Sequence, residues 1–335
     1  METTTTTLAS TSTQPSGQPI QMFDCMIHLM PNKMWYKKFM VKPIKGKEYK
    51  GVSLSAAKNI AKGEIILTEC PIFTLPFDRD HMAVTGGLMA CNSEYKRMFY
   101  DMFNCHDETS KMTREMGIFA TNGIPCGTDF GSGRVADREG VFVISARINH
   151  SCVPNVHGQW VDWVQQIEQR ATREIKNKEE ICRGYIDLLK PRAERQKELL
   201  AKYWFKCDCP ACKLTGAELE ASDARRKKIR ELLDKHHDGK CTDATQGLEE
   251  IRLALDCIEK EGLPMYESIF YFFAFHLCAA SSDYPNAREW AKKARDSHLM
   301  FCGPTLEDLY NRLIADPGCY PDADSMTGRT LWGPT

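Results

Sequence analysis

The sequence predicts an α+β protein in which a strand-rich part is followed by an all-helical C-terminal third. Three observations carry this: short β-type runs broken by glycine, periodic apolar spacing beyond Pro191, and a tight cysteine cluster at 207–212 where the texture changes. The 335 residues suggest about two domains, ample for a core without disulfide staples. A hydrophobic content of 42%, with 44 Lys plus Arg against 45 Asp plus Glu, excludes a disordered chain. That charge balance offers no overall field to a polyanion, so bulk nucleic-acid binding is not expected. Fifteen cysteines are an odd number in a long chain without a legible export signal, which favours metal thiolates and buried free thiols over a disulfide framework.

Taken in order, residues 1–18 (METTTTTLASTSTQPSGQ) are too polar to offset the entropy of ordering and read as a disordered tail. They show neither a basic start nor an apolar leader core, so a nuclear or cytoplasmic location is expected. Within 19–77, GVSLSA at 51–56 and EIILTE at 64–69 are strands, with a turn at Lys62-Gly63. Residues 78–140 form a helical insert, with apolar spacing such as Met98, Met102 and Phe103. Strand texture returns over 141–190, at VFVIS (141–145) and WVDWVQQIEQRA (160–171), and ends near Tyr185.

A segment at 191–215 opens with a helix and carries the cysteine cluster. In 216–316, Ile229, Leu232 and Leu233 mark one helix, and Leu248, Ile251, Leu255 and Ile258 mark a second. Ala287, Trp290, Ala291 and Ala294 mark another. With the apolar run Ile269 to Ala280 between them, they predict an array of antiparallel helix pairs of tetratricopeptide-like (TPR-like) type, ahead of a tail at 317–335. That 12-residue run is far short of the roughly 20 apolar residues a membrane-spanning helix needs.

Three pieces bear on chemistry. In FKCDCPAC, the thiols of Cys207, Cys209 and Cys212 have the density to share one Zn(II) at about 2.3 Å, with a fourth ligand that spacing alone does not choose. In RINHSCVPN, a polar turn follows an apolar strand and serves either as a hydrogen-bonded turn or as a loop presenting backbone to a ligand. In EEICRGYIDLL, Tyr185 closes a short strand, where a lone tyrosine is ordinarily a core residue with a satisfied hydroxyl. Cys91, Cys105, His106 and Cys126 lack paired metal spacing and read as buried or surface residues. His276 reads as a satisfied core histidine. The run Arg225 to Arg230 reads as the solvated face of a helix rather than an import or acidic-partner patch.

Together, GVSLSAAKNIAKGEIILTECPIF, RINHSCVPN, EEICRGYIDLL and YWFKCDCPAC, in that order over roughly 45–215, resemble the SET-domain protein lysine methyltransferases. The likeness is to the branch with a helical C-terminal domain, the SET and MYND-domain enzymes and the fungal SET-domain-containing protein 5 group. No MYND module is legible in the insert, which favours the fungal type. The resemblance implies a β-rich SET (β-clip) fold binding S-adenosyl-methionine on one face and admitting a substrate lysine, histone lysines included, from the other. Carried over by position, Tyr185 is the catalytic tyrosine, and Gly51, Ser53, Asn149 and His150 meet the cofactor. Tyr203 and Phe205 pack near the cofactor and channel. Cys152 completes a structural zinc site with Cys207, Cys209 and Cys212, pinning a post-SET segment.

Two positions depart from the family pattern. Ser53 replaces the second glycine of the cofactor motif, adding a side chain where backbone approaches cofactor, and Lys178 replaces a glycine at a turn. The Ser53 departure favours the competing reading, a non-catalytic SET-fold adaptor that binds partner proteins through its helical C-terminal domain. Tyr185 and the Asn149-His150 pair favour the enzyme.

Overall fold

The structure, a computed structural model, describes residues 38–43, 52–106, 111–127, 136–326 and 331–334. The tail expected at 1–18 and the cofactor candidate Gly51 lie outside them. The described strands are β1 (Phe39–Pro43), β2 (Val52–Ala56), β3 (Ile65–Glu69), β4 (Thr74–Pro76), β5 (Gly123–Cys126), β6 (Arg138–Val141), β7 (Asn149–His150), β8 (Val156–Val161), β9 (Gln166–Ala171) and β10 (Glu180–Arg183). They form three small sheets, with strand orders β1-β2-β10-β7, β3-β9-β8 and β4-β6-β5. All pairings are antiparallel except β10 with β7. Leu54, Ile60, Ile66, Ile148, Val156 and Ile181 form the core between the first two sheets.

The Lys62-Gly63 turn lies between β2 and β3, and Gly63 adopts φ +79°, a left-handed conformation natural to glycine. The strand-like run at 160–171 is not one strand but the end of β8, a turn and β9. Gln165 takes φ 51°, and its amide donates to the carbonyl of Asp162 at 2.6 Å and to its carboxylate at 3.0 Å, reversing the chain so that Val161 faces Gln166. VFVIS likewise leaves the sheet after Val141. The buried carboxylate of Glu69 accepts the N–H groups of Ile144 and Ser145, both at 2.8 Å, and so fixes the turn that enters the RINHSC segment.

Within 78–140 the helices are α1 (His81–Met89), α2 (Ser93–Tyr100) and α3 (Arg114–Asn122), started by side-chain caps from Asp80, Asn92 and Thr113. Helix ends at Asn122 and the chain turns to strand in β5 and β6, because Pro125 cannot donate to a continuing helix. Beyond lie α4 (Arg192–Tyr203), α5 (Pro210–Lys213), α6 (Gly216–His237), α7 (Ala244–Glu261), α8 (Glu267–Ala280), α9 (Tyr284–Cys302) and α10 (Glu307–Ala315). From α6 on, each helix packs against the next. The central α8 is apolar on nearly every side because neighbours cover it, and Phe270 and Phe275 are wholly buried, each stabilising by about 2 kcal/mol. Residues 331–334 return to this domain, where the Trp290 indole donates to the carbonyl of Trp332 at 3.1 Å.

The basic run at 225–230 is a solvated face only at Lys227 and Lys228. Arg226 is wholly buried, its guanidinium donating to Glu261 at 2.7 Å and to the carbonyls of Leu188 and Cys152. Arg225 also pairs with Glu261, at 2.8 Å, and Arg230 pairs with Asp187 at 2.9 Å. Helical spacing places Arg226 on the same side as Ile229, and Arg226 and Arg230 fasten α6 to the segment that follows β10. His276 donates to or accepts from the Tyr320 hydroxyl at 3.1 Å, a satisfied histidine.

Candidate active site

Parallel pairing of β7 with β10 sets Asn149 opposite Cys182 and His150 opposite Arg183, which joins residues 33 positions apart in the chain. Asn155 locks the crossing: its amide oxygen accepts the Cys182 N–H at 2.8 Å, and its amide nitrogen donates to the carbonyl of Glu180 at 2.8 Å. The Asn149 amide donates to the Val52 carbonyl at 3.2 Å and to the Glu180 carboxylate at 2.9 Å, tying β7 to β2 and β10.

The Tyr185 N–H donates to Nδ1 of His150 at 3.0 Å. That nitrogen is therefore the acceptor, and the ring proton sits on Nε2, 3.3 Å from the sulfur of Cys152. One buried imidazole thus connects the tyrosine backbone to a thiol. The Tyr185 hydroxyl donates to the carbonyl of Ile148 at 2.7 Å. Burial pushes the phenol well above its ordinary range, so it remains a donor at neutral pH. Its ring stands 5.1 Å from that of Tyr203 and 5.3 Å from His150, Phe205 lies 6.2 Å from His150, and the Arg183 guanidinium covers the Tyr185 face at 4.5 Å.

These rings bound a cavity of about 420 Å³ whose wall includes Val52, Asn149, His150, Tyr185, Tyr203 and Phe205. Five of the residues expected at the site, Asn149, His150, Tyr185, Tyr203 and Phe205, thus converge on one space. Ser53 does not line it. Successive strand residues face opposite sides, so Val52 meets the cavity while Ser53 is buried on the other face of β2. The opposite wall comes from the insert: Asp101 to Cys105 after α2, with Thr121 and Asn122 at the end of α3. The sequence gives no periodic signal for that loop's role. Arg147, also in the wall, is the first residue of the RINHSCVPN motif.

Beside the cavity, the sulfurs of Cys152, Cys207, Cys209 and Cys212 are buried and lie within 4.8 Å of one another, with Cys152 and Cys212 3.6 Å apart. Four sulfurs at 2.3 Å from a common centre would stand about 3.8 Å apart, so the set fits one tetrahedral Zn(II). Hydrogen bonding with Cys152 holds the Cys209 thiol below its usual range and Cys207 above it. Four thiolates could not share this space without a cation. The Cys209 sulfur also accepts the Cys152 N–H at 3.4 Å, and the Gln196 amide brackets Cys207, donating to its carbonyl at 2.7 Å and accepting its N–H at 3.0 Å. Trp204, at φ 58°, ends α4 in a left-handed turn and directs Phe205 back toward His150.

The SET domain family model matches residues 51–186. The chain is 30% identical over 288 residues to the histone-lysine N-methyltransferase set5 of Schizosaccharomyces pombe, a match spanning 84% of this chain and 86% of that relative. The chain belongs to the SET-domain protein lysine methyltransferases. Likeness to the N-lysine methyltransferase SMYD2 of Gallus gallus is more local, 37% over 94 residues, or 28% of this chain and 20% of that protein. The SET domain and MYND-type zinc finger protein 6 of Schizosaccharomyces pombe is 42% identical over 69 residues, 21% of this chain and 14% of its own length. The SET match takes in β2 to β10 and Cys152, whereas the other three thiols of the cluster lie beyond it. No described helix is long and apolar enough to cross a membrane.

Proposed function

We propose that this SET-domain protein transfers a methyl group from S-adenosyl-methionine to a lysine amine, on a histone or another protein, in the cavity beside Tyr185. The observation that carries this reading is the convergence of Tyr185, Asn149, His150, Tyr203 and Phe205 on one space. When bound, the cofactor supplies an electrophilic methyl on a sulfonium. Transfer to nitrogen is an in-line displacement, which asks the protein for alignment and a suitable field rather than for an acid. The Tyr185 hydroxyl, held by the Ile148 carbonyl, orients the acceptor nitrogen. The faces of Tyr185, Tyr203 and Phe205 favour cationic sulfonium and methylammonium groups. Apolar walls lower the amine's pKa from about 10.4 toward the neutral nucleophile, and the proton leaves to solvent.

Cofactor contacts are assigned to Gly51, Asn149, His150, Tyr203 and Phe205. The cysteine cluster is read as a structural zinc site that pins a post-SET segment at 191–215 against the cavity, since closed thiolate coordination leaves no open position for hydrolysis. Sequential packing from α6 to α10 supports a TPR-like domain at 216–316 that binds partner proteins, and the location is read as nuclear or cytoplasmic. That Ser53 is buried and absent from the cavity wall supports the enzyme over the adaptor.

The test is labelled methyl transfer to histones and to a proteome extract, with Tyr185→Phe beside the unmodified protein. Turnover should fall by about 10²-fold or more, while calorimetric cofactor affinity and the fold persist. Full-rate transfer by the variant would remove Tyr185 from the mechanism. No transfer and no binding at millimolar cofactor by the unmodified protein would restore the adaptor.

A further inference from the structure

The first helical hairpin contains a second cluster of metal-ligand residues, separate from the thiols. His236 lies in the last turn of α6, Cys241 in the connection, and Glu250 on α7. One donor atom from each lies within 4.8 Å of the others. Nε2 of His236 and Oε2 of Glu250 are buried and face each other at 3.4 Å, a long contact that is an ion pair only when the imidazole is protonated, which its burial disfavours. The His236 side chain is only 2% exposed. With the imidazole neutral that contact satisfies neither atom well, and a cation between them would engage both.

Metal geometry accounts for the spacing. Nitrogen and oxygen ligands at 2.0–2.1 Å from a tetrahedral centre stand about 3.4 Å apart. The other Glu250 oxygen is already engaged, by Lys235 at 2.6 Å and by the Gln246 amide at 3.1 Å, which leaves Oε2 for the centre. Phe273 stacks on the imidazole at 5.5 Å and holds its plane. Space for the sulfur depends on Gly247: a Cβ there would stand 2.5 Å from the Cys241 sulfur and 3.4 Å from Cε1 of His236.

We propose that His236, Cys241 and Glu250 bind Zn(II), with solvent as the fourth ligand, and that the ion clips the turn between α6 and α7. The mixture of imidazole, thiolate and carboxylate suits zinc better than the oxygen-seeking calcium or magnesium. Binding releases the Cys241 thiol proton to solvent. Because α6 also carries Arg226, the clip would steady the helix that is fastened to the Cys152 carbonyl.

The full chain, supplied with zinc and dialysed, should hold two zinc equivalents by mass spectrometry, and His236→Gln and Cys241→Ser should each hold one. Anomalous scattering at the zinc edge from crystals of the unmodified, zinc-supplied chain decides the matter even where a variant fails to fold. A peak between His236, Cys241 and Glu250 supports the site. No peak there, or two equivalents retained by folded His236→Gln, overturns it.

Discussion

Replacing Arg226 with methionine keeps most of the side chain's volume and removes its guanidinium fork. In the native protein that fork donates to the Glu261 carboxylate at 2.7 Å, to the Leu188 carbonyl, and to the Cys152 carbonyl at 3.2 Å, all in an environment where Arg226 is wholly buried. Glu261 is itself 3% exposed and retains Ser222 at 2.7 Å and Arg225 at 2.8 Å. Breaking one side of a buried ion pair costs about 3–5 kcal/mol, and each carbonyl that loses its donor adds about 1–3 kcal/mol when water does not reach it. Because Arg225 and Ser222 still compensate Glu261, the expected total is about 3–5 kcal/mol rather than the sum. Urea unfolding of the full chain measures this. Arg226→Met/Glu261→Leu, which removes both charges, should recover part of the loss, since matched apolar replacement of a buried pair is often nearly neutral. A single variant within about 1 kcal/mol of the parent, or a double variant worse than the sum of the singles, would refute the reasoning.

Two further outcomes follow from buried polar groups. Glu69→Ala orphans the N–H groups of Ile144 and Ser145 and should cost about 2–4 kcal/mol, with partial recovery in Glu69→Gln; a thermal midpoint equal to the parent's would show that Glu69 does not hold the turn. Burial lowers His157 and His298 from 6.5 to about 4 each. The unfolded chain therefore takes up their protons at a pH where the folded chain does not. Their contribution is complete above pH 6.5 and is lost as pH falls toward 4, at up to about 1.4 kcal/mol per pH unit for each ring. His157→Gln/His298→Gln should flatten the acid limb of a stability-against-pH curve, and an unchanged slope would contradict the burial of these rings.

What the sequence determined by itself is local or carried by motif. The Lys62-Gly63 turn, the helical periodicities around Leu248 and Trp290, and the grouping of Cys207, Cys209 and Cys212 depend on neighbours a few residues away, so spacing reveals them. The convergence of Tyr185 with Asn149, His150 and Cys152 was legible only because four motifs occur in family order; periodicity left each of them a bland turn or core residue.

Tertiary structure alone decided the rest. Asp101 to Cys105 reach the cavity because α1–α3 pack over β4 and β6, not because of any pattern in the loop. The fate of Arg226 turned on Glu261, 35 residues away, and that of His236 on Cys241 and Glu250 across a helical hairpin. A charged or ligating side chain shows in sequence what it can do, but its partner is set by where the backbone returns. Long-range packing chooses that return, since it settles which polar groups leave water together.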